Sequence, residues 1–207
     1  MSADKYQPTQ DQFDNDVAGG KMELLSDDGL YRHLRFHLDG GGFRWFDIVT
    51  WPNRLVITGD CETFVFTRLT DMFEFFRSGG ARINPSYWQE KIIDGRERAQ
   101  RFEWDTFRAA ALAEFEGATA AMNPFHRLQA RDELVDALYS DSDEFGAVDV
   151  LRNFSYQEGG PGSKCLFRFD LSEGSPDGKI WDYHYIWCCR AIVWAIAQYD
   201  IEKGGAA

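Results

Sequence analysis

Between residues 22 and 67 the chain alternates short apolar runs with turn-forming pairs. Residues 22–25, 30–38, 43–50, 55–59 and 61–67 are rich in aromatic and β-branched side chains, and Asp28-Gly29, Gly40-Gly41-Gly42 and Pro52-Asn53 separate them. Runs of that length bounded by such residues predict the strands of an antiparallel meander. Alternation is clearest in the second run, where Leu30, Leu34, Phe36 and Leu38 share one face and Tyr31, His33, Arg35 and His37 share the other. One sheet face is therefore core and one is polar. Upstream, residues 1–8 read as a loose terminus, and Thr9 with Gln12 forms a capping box for a short helix that stops at Gly19-Gly20. Downstream, Thr70 and Asp71 offer a cap for a compact helix, Met72–Arg77, whose Met72, Phe73 and Phe76 cover the apolar face.

After Gly79-Gly80 the period changes from two to that of a helix. Asn84-Pro85 is placed as N-cap and first helical residue, and a longer helix is expected near 97–116, with Trp104, Phe107, Ala111 and Phe115 at helical spacing. Leu128, Val135 and Leu138 mark the inward stripe of another helix, and Phe145, Val148 and Leu151 that of a short one after a Ser142 cap. One strand is expected at 165–170, and the tail from Gly204 reads as frayed. The last element, 182–199, is apolar nearly all round, interrupted only by His184, Arg190 and Gln198, which is the pattern of a helix enclosed by other elements. A charge enclosed with it needs a partner, so Arg190 is expected to meet a carboxylate or carbonyls. The sum is an α+β fold: an antiparallel sheet of four or five strands packed by helices, with a helical C-terminal half. At 207 residues it reads as a single domain, 1–207, mainly sheet over 1–80 and mainly helical over 81–207.

Charge narrows the partners. The formal net charge is −12 and 15% of residues are aromatic, so the chain has ample material for a core and lacks the clustered Lys and Arg that direct nucleic-acid or anionic-membrane binding requires. A basic partner suits it better. Cys61, Cys165, Cys188 and Cys189 form neither a Cys-x-x-Cys pair nor a zinc spacing, which points to a reduced, cytoplasmic protein without a structural metal or other cofactor. No basic and apolar leader opens the chain and no run reaches the ~20 apolar residues of a membrane span, so neither secretion nor membrane insertion is expected.

Three patterns invite chemistry. Gly159-Gly160-Pro161-Gly162-Ser163-Lys164 is superficially a phosphate loop, but Ser163 parts glycine from lysine, Pro161 removes an amide donor and a strand follows, so a surface turn is the better reading. His33, His37, Asp47 and Asp60 are candidates for an acid–base group. Imidazoles four strand residues apart are ~13 Å apart at ~3.3 Å per residue, too far to share one metal or one substrate proton. Asp60 follows a glycine between two strands, as hairpin turns do. The third pattern is acidity: Asp132, Glu133, Asp136, Asp141, Asp143, Glu144 and Asp149 fall in one helical segment with no Lys or Arg after Arg131 until Arg152. A solvated helix face explains it, and so does a surface that competes with a nucleic-acid backbone for a basic groove. Duplex DNA carries one charge per ~1.7 Å of axis, denser than this segment, so any mimicry is partial.

One stretch adds context. Tyr31-Arg32-His33-Leu34-Arg35-Phe36, Thr50-Trp51-Pro52, Thr58-Gly59-Asp60 and Asp71-Met72-Phe73-Glu74-Phe75-Phe76-Arg77, within residues 30–77, resemble a family of accessory proteins of tailed phages and prophages. The resemblance covers about a quarter of the chain and carries no assigned reaction or active-site residue. It implies a non-structural protein of the bacterial host cytoplasm that acts on host machinery, as small acidic anti-CRISPR inhibitors do. The expectation is a protein that binds and blocks a host defence effector or nucleoprotein with a basic surface, through the acidic segment. The alternatives are a small enzyme acting on a nucleotide or nucleic acid through His33, His37, Asp47 and Asp60, and an adaptor of DNA metabolism.

Overall fold

The computed structural model describes residues 7–39, 42–78, 80, 82–159 and 162–204. The start of the expected loose terminus, the turn glycines Gly40, Gly41 and Gly79, the centre of the glycine-rich loop at Gly160-Pro161 and the tail from Gly205 lie outside them. In chain order the first elements are α1 (Gln10–Asp16), β1 (Lys21–Asp28), β2 (Tyr31–His37), β3 (Trp45–Trp51), β4 (Arg54–Gly59), β5 (Phe64–Phe66), α2 (Met72–Arg77), α3 (Pro85–Gln89) and β6 (Ile92–Asp94). There follow β7 (Gln100–Phe102), α4 (Trp104–Ala118), α5 (Pro124–Ala137), α6 (Glu144–Asn153), β8 (Ser155–Gln157), β9 (Cys165–Arg168), β10 (Lys179–Trp181) and α7 (Tyr183–Gly204). Two compact units divide them: Met1–Gln100 with Trp181–Ala207, and Arg101–Ile180.

The first unit is the expected meander with one strand more. Its sheet runs β1-β2-β3-β4-β5-β6, every neighbouring pair antiparallel. Pro52 and Asn53 close the β3–β4 hairpin, and Asn53 takes φ 65°, a left-handed conformation that asparagine tolerates better than most residues. Leu34, Phe36, Phe46, Ile48, Leu55, Ile57, Phe64 and Phe66 point to one face and are wholly buried. Against this core pack α2 and α7, and in α7 Trp187, Cys188, Cys189, Ala191 and Ile192 are sealed from solvent. The all-round apolar pattern thus marks a central helix, as its sequence requires. The thiols of Cys188 and Cys189 are pushed well up by burial, which makes them packing groups and not nucleophiles.

A charged residue occupies the core face of β2. Arg32 lies between Leu30 and Leu34 in the alternation, is buried, and donates Nη1 and Nη2 to the two oxygens of Asp71 at 2.9 Å each. Its guanidinium lies 4.5 Å from the Phe73 ring centre and 5.7 Å from that of Tyr199, so two rings and one carboxylate replace its water. Asp71 also caps α2 by accepting from the Phe73 N–H at 2.9 Å. Burial pushes the Asp71 carboxyl up, but the Arg32 and Phe73 hydrogen bonds outweigh it and hold the group below the usual aspartate range.

The second unit has its own core of Phe107, Ala111, Phe115, Ala130, Leu134, Leu138, Ala147 and Leu151. The helix expected from residue 97 begins only at Trp104, because Arg96–Arg98 form a 3-10 turn, β7 pairs with β10, and the Glu103 carboxylate caps α4 by accepting from Thr106 N–H at 2.6 Å. Two inward stripes also differ from expectation. In α5 the buried set is Ala130 and Leu134 with Leu138 beyond, while Leu128 is 60% exposed. In α6 it is Ala147 and Leu151, while Phe145 is 84% exposed, and the cap is Asp143 in place of Ser142.

Asp71→Ala removes the α2 cap and strands a buried guanidinium, so the loss of stability in urea unfolding is expected to reach about 3 kcal/mol, above the ~1 kcal/mol of a cap alone. Arg32→Met, which removes the charge and keeps the stem, is expected to cost less than half as much. Equal losses would contradict this assignment.

Candidate functional site

The acidic segment is built by α5, the turn at residues 138–143, and α6. Asn123 caps α5, its side chain accepting from Phe125 N–H at 2.9 Å, and Pro124 stands at the first helical position. With Ala130 and Leu134 inward, Asp132, Glu133 and Asp136 face solvent. Asp141, Asp143, Glu144 and Asp149 are exposed as well, so all seven carboxylates stand on the surface. They are not equivalent. Asp149 pairs with Arg152, and Glu144 reaches Lys179 at 3.5 Å. Asp143 spends one oxygen on the α6 cap, accepting from Gly146 N–H at 2.8 Å. Among the described residues no ion pair engages Asp132, Glu133, Asp136, Asp141 or Asp143.

Two large rings stand among these carboxylates. Tyr139 is 81% exposed, between Asp136 and Asp141, and Phe145 follows Glu144. Sequence reading places Phe145 in the core and passes over Tyr139. The available signal is the helical register of Ala147 and Leu151, which leaves Phe145 off the buried stripe. A cavity of about 290 Å³ adjoins the N-terminal half of α5, lined by Met122, Pro124 and Leu128 together with Arg127 and Arg131. Both arginines are engaged by Glu116, Arg131 Nε donating to Oε1 at 3.0 Å.

The acid–base candidates lie in the first unit, with His33 and His37 on β2, Asp47 on β3 and Asp60 in the turn after β4, and they do not converge on one set of partners. Arg35 and Asp47 are register partners across β2 and β3, and the guanidinium donates Nε to Oδ1 and Nη2 to Oδ2 at 2.8 Å each. His33 Nε2 lies 2.9 Å from the same Oδ2. Burial pushes the Asp47 carboxyl up, but the hydrogen bonds from Arg35 and His33 and their charges outweigh it and hold the group below the usual range. An ionised carboxylate so occupied is a poor proton acceptor. His37 is turned to Glu23 at 3.2 Å, and Asp60 accepts from the Arg44 backbone N–H at 2.8 Å, shaping the turn before β3. The structure therefore joins His33 to Asp47 and leaves His37 and Asp60 elsewhere.

In the glycine-rich loop, Glu158 N–H donates to the Lys164 carbonyl at 3.0 Å and Gly162 N–H to Gln157 Oε1 at 2.7 Å, which ties the flanks of a turn between β8 and β9. No three His, Cys, Asp or Glu side chains converge as a metal-ligand group among the described residues, and no helix there is long and apolar enough to cross a membrane. No protein-family model, curated protein or solved structure matches the chain. What the residues themselves place together is an exposed surface of uncompensated carboxylates with two uncovered aromatic rings.

The Asp47 cluster gives a pH test. A carboxyl held below its unfolded value of ~3.9 contributes stability above that pH and loses it as pH falls through the folded value. The stability difference between the wild type and Asp47→Asn in urea unfolding is expected to shrink as pH falls from about 5 to about 3. A difference unchanged at pH 3 would contradict the ionised pairing.

Proposed function

We propose that the protein is a binding protein that occupies a basic, nucleic-acid-binding surface of a host defence effector through α5, the following turn and α6. The observation that carries this reading is the exposure of Tyr139 and Phe145 amid Asp132, Glu133, Asp136 and Asp141. A solvated helix face accounts for the carboxylates but leaves two large rings in water. In a docked complex, desolvated aromatic anchors supply much of the affinity, while surrounding charges govern encounter and partner choice. Over residues 132–136 three carboxylates span ~6 Å of helix at ~1.5 Å per residue, a local density that favours clustered Lys and Arg. The defence setting is supported by the resemblance of residues 30–77 alone. Against the enzyme reading stands the occupied state of Asp47, and the separation of His37 and Asp60 from it.

The test begins with capture of the partner from bacterial lysate and continues with its purified form. Asp132, Glu133, Asp136 and Asp141 reversed together to Lys are expected to slow association at least ~10-fold, with urea stability little changed. Asp143 is left in place because its reversal would remove the α6 cap. Wild-type association is expected to slow as salt rises, since attraction between exposed charges is screened over ~8 Å at physiological ionic strength. Tyr139→Ala with Phe145→Ala is expected to speed dissociation and cost at least ~2 kcal/mol of binding. His33→Asn with His37→Asn is expected to leave both rates unchanged. Equal association rates for wild type and reversal, with no salt dependence, would overturn the electrostatic reading.

A further inference from the structure

The first unit contains a cavity of about 380 Å³ between α1 and α7. Phe13, Ile83, Val193 and Trp194 make its apolar walls, and Gln10 and Arg190 are its polar lining. Ligand pockets run from roughly 300 to 1,000 Å³, so this one suits a small molecule. Phe13 is buried and fixed edge-on to Trp187 at 5.4 Å, and Trp194 is held by Phe36 at 5.1 Å, so both walls are preformed.

Arg190 is the unusual member of that wall. It is half-buried on a helix otherwise apolar at this level, and among the described residues no carboxylate lies within ion-pair distance of it. Its Nη1 donates to the Gln10 side-chain carbonyl, and Gln10 Nε2 donates in turn to Asp14 Oδ1 at 2.7 Å. Asp14 thus reaches the guanidinium only through a neutral amide. Arg190 Nε is buried with no hydrogen-bond partner, as is Arg32 Nε, so what sets Arg190 apart is the missing carboxylate. Burial pushes the Arg190 pKa down, against the more distant pull of Asp14, as befits a cation short of its counter-charge. Elsewhere in the unit the contrast is clear, since the buried Arg32 has both oxygens of Asp71. A half-buried cation without a carboxylate of its own, set beside apolar walls, complements one class of small molecule. The anion answers the guanidinium, and a hydrocarbon body answers Phe13, Val193 and Trp194.

We infer that the α1–α7 cavity is a binding site for a small monocarboxylate with an apolar body, its carboxylate on Arg190 and its hydrocarbon against Phe13, Val193 and Trp194. Aromatic and medium-chain aliphatic acids share this chemistry. The cavity is lined entirely by the first unit and the acidic carboxylates lie in the second, so this inference stands or falls apart from the proposed docking surface.

The probes are 3-phenylpropanoate, octanoate and the neutral analogue 3-phenylpropanol, titrated into the full chain while the assigned Trp194 indole N–H is followed by NMR. At least one acid is expected to shift that signal saturably, and 3-phenylpropanol to bind at least ~10-fold more weakly than 3-phenylpropanoate. Response to one acid alone would identify the shape of the hydrocarbon body within the proposed class. Arg190→Gln is expected to abolish the preference for acid over alcohol, and Val193→Phe, which fills the cavity and leaves the charge, to abolish binding of both. Thermal unfolding of each variant checks that it folds, and the two variants act through different walls, so the loss of one leaves the other to decide. Equal binding of 3-phenylpropanoate and 3-phenylpropanol, retained acid preference in Arg190→Gln, or no response to either acid up to its solubility would overturn the inference.

Discussion

The first unit depends on one packing relation: the apolar face of a sheet made from the first hundred residues is covered by a helix from the last twenty-seven. Until α7 arrives, Leu34, Phe36, Phe46, Ile48 and their neighbours face water. Until the sheet exists, Ile186, Trp187, Ile192 and Ile196 do so. α2 covers part of the same core, but the central apolar positions of the sheet and of α7 belong to one cluster, and the hydrophobic term is the main force available to order either. Three aromatic residues of α7 carry polar tips that find partners on three different elements. Trp187 Nε1 donates to Asp16 at 2.9 Å, Tyr185 to the Pro85 carbonyl at 2.7 Å, and Tyr199 to Asp27 at 2.9 Å. One helix thereby fixes the segments that hold α1, α3 and β1, with the rings of Tyr185, Trp187 and Tyr199 buried and their tips hydrogen-bonded.

Much of this was legible from periodicity and turn chemistry. The strands of the meander alternate cleanly and are punctuated by Asp-Gly and Pro-Asn, and α7 is readable because helices with no polar face must be enclosed. The sixth strand was not, since three residues, Ile92–Asp94, are too few to show a period. Arg32 escaped because a positive charge on a core face is legible only together with Asp71, thirty-nine residues away. In α5 and α6 the inward stripes include Ala130 and Ala147, whose small side chains signal burial more weakly than the larger, exposed Leu128 and Phe145. Arg190 was expected to meet a carboxylate or carbonyls and meets a side-chain carbonyl, that of Gln10.

The candidate site was half legible. Runs of carboxylates without intervening cations are visible in any sequence, and all seven are exposed. Their inequality is not visible there, because whether an aspartate is free, as Asp136 is of ion pairs, or engaged in a cap, as Asp143 is, depends on the fold around it. The histidines show the converse. Their spacing along β2 argues against a shared proton, and the structure adds that each faces a different carboxylate, with Asp47 already claimed by Arg35.

The dependence of the sheet on α7 is the claim beneath these assignments, for α7 supplies a wall of the cavity and its packing sets the rigidity of the unit. Native-state hydrogen exchange across a series of denaturant concentrations measures it directly. The amides of residues 186–196 and those of β2, β3 and β4 are expected to exchange with one common opening free energy and one denaturant slope, as a single cooperative unit. Opening of α7 at markedly lower free energy, with the sheet amides still protected, would contradict it.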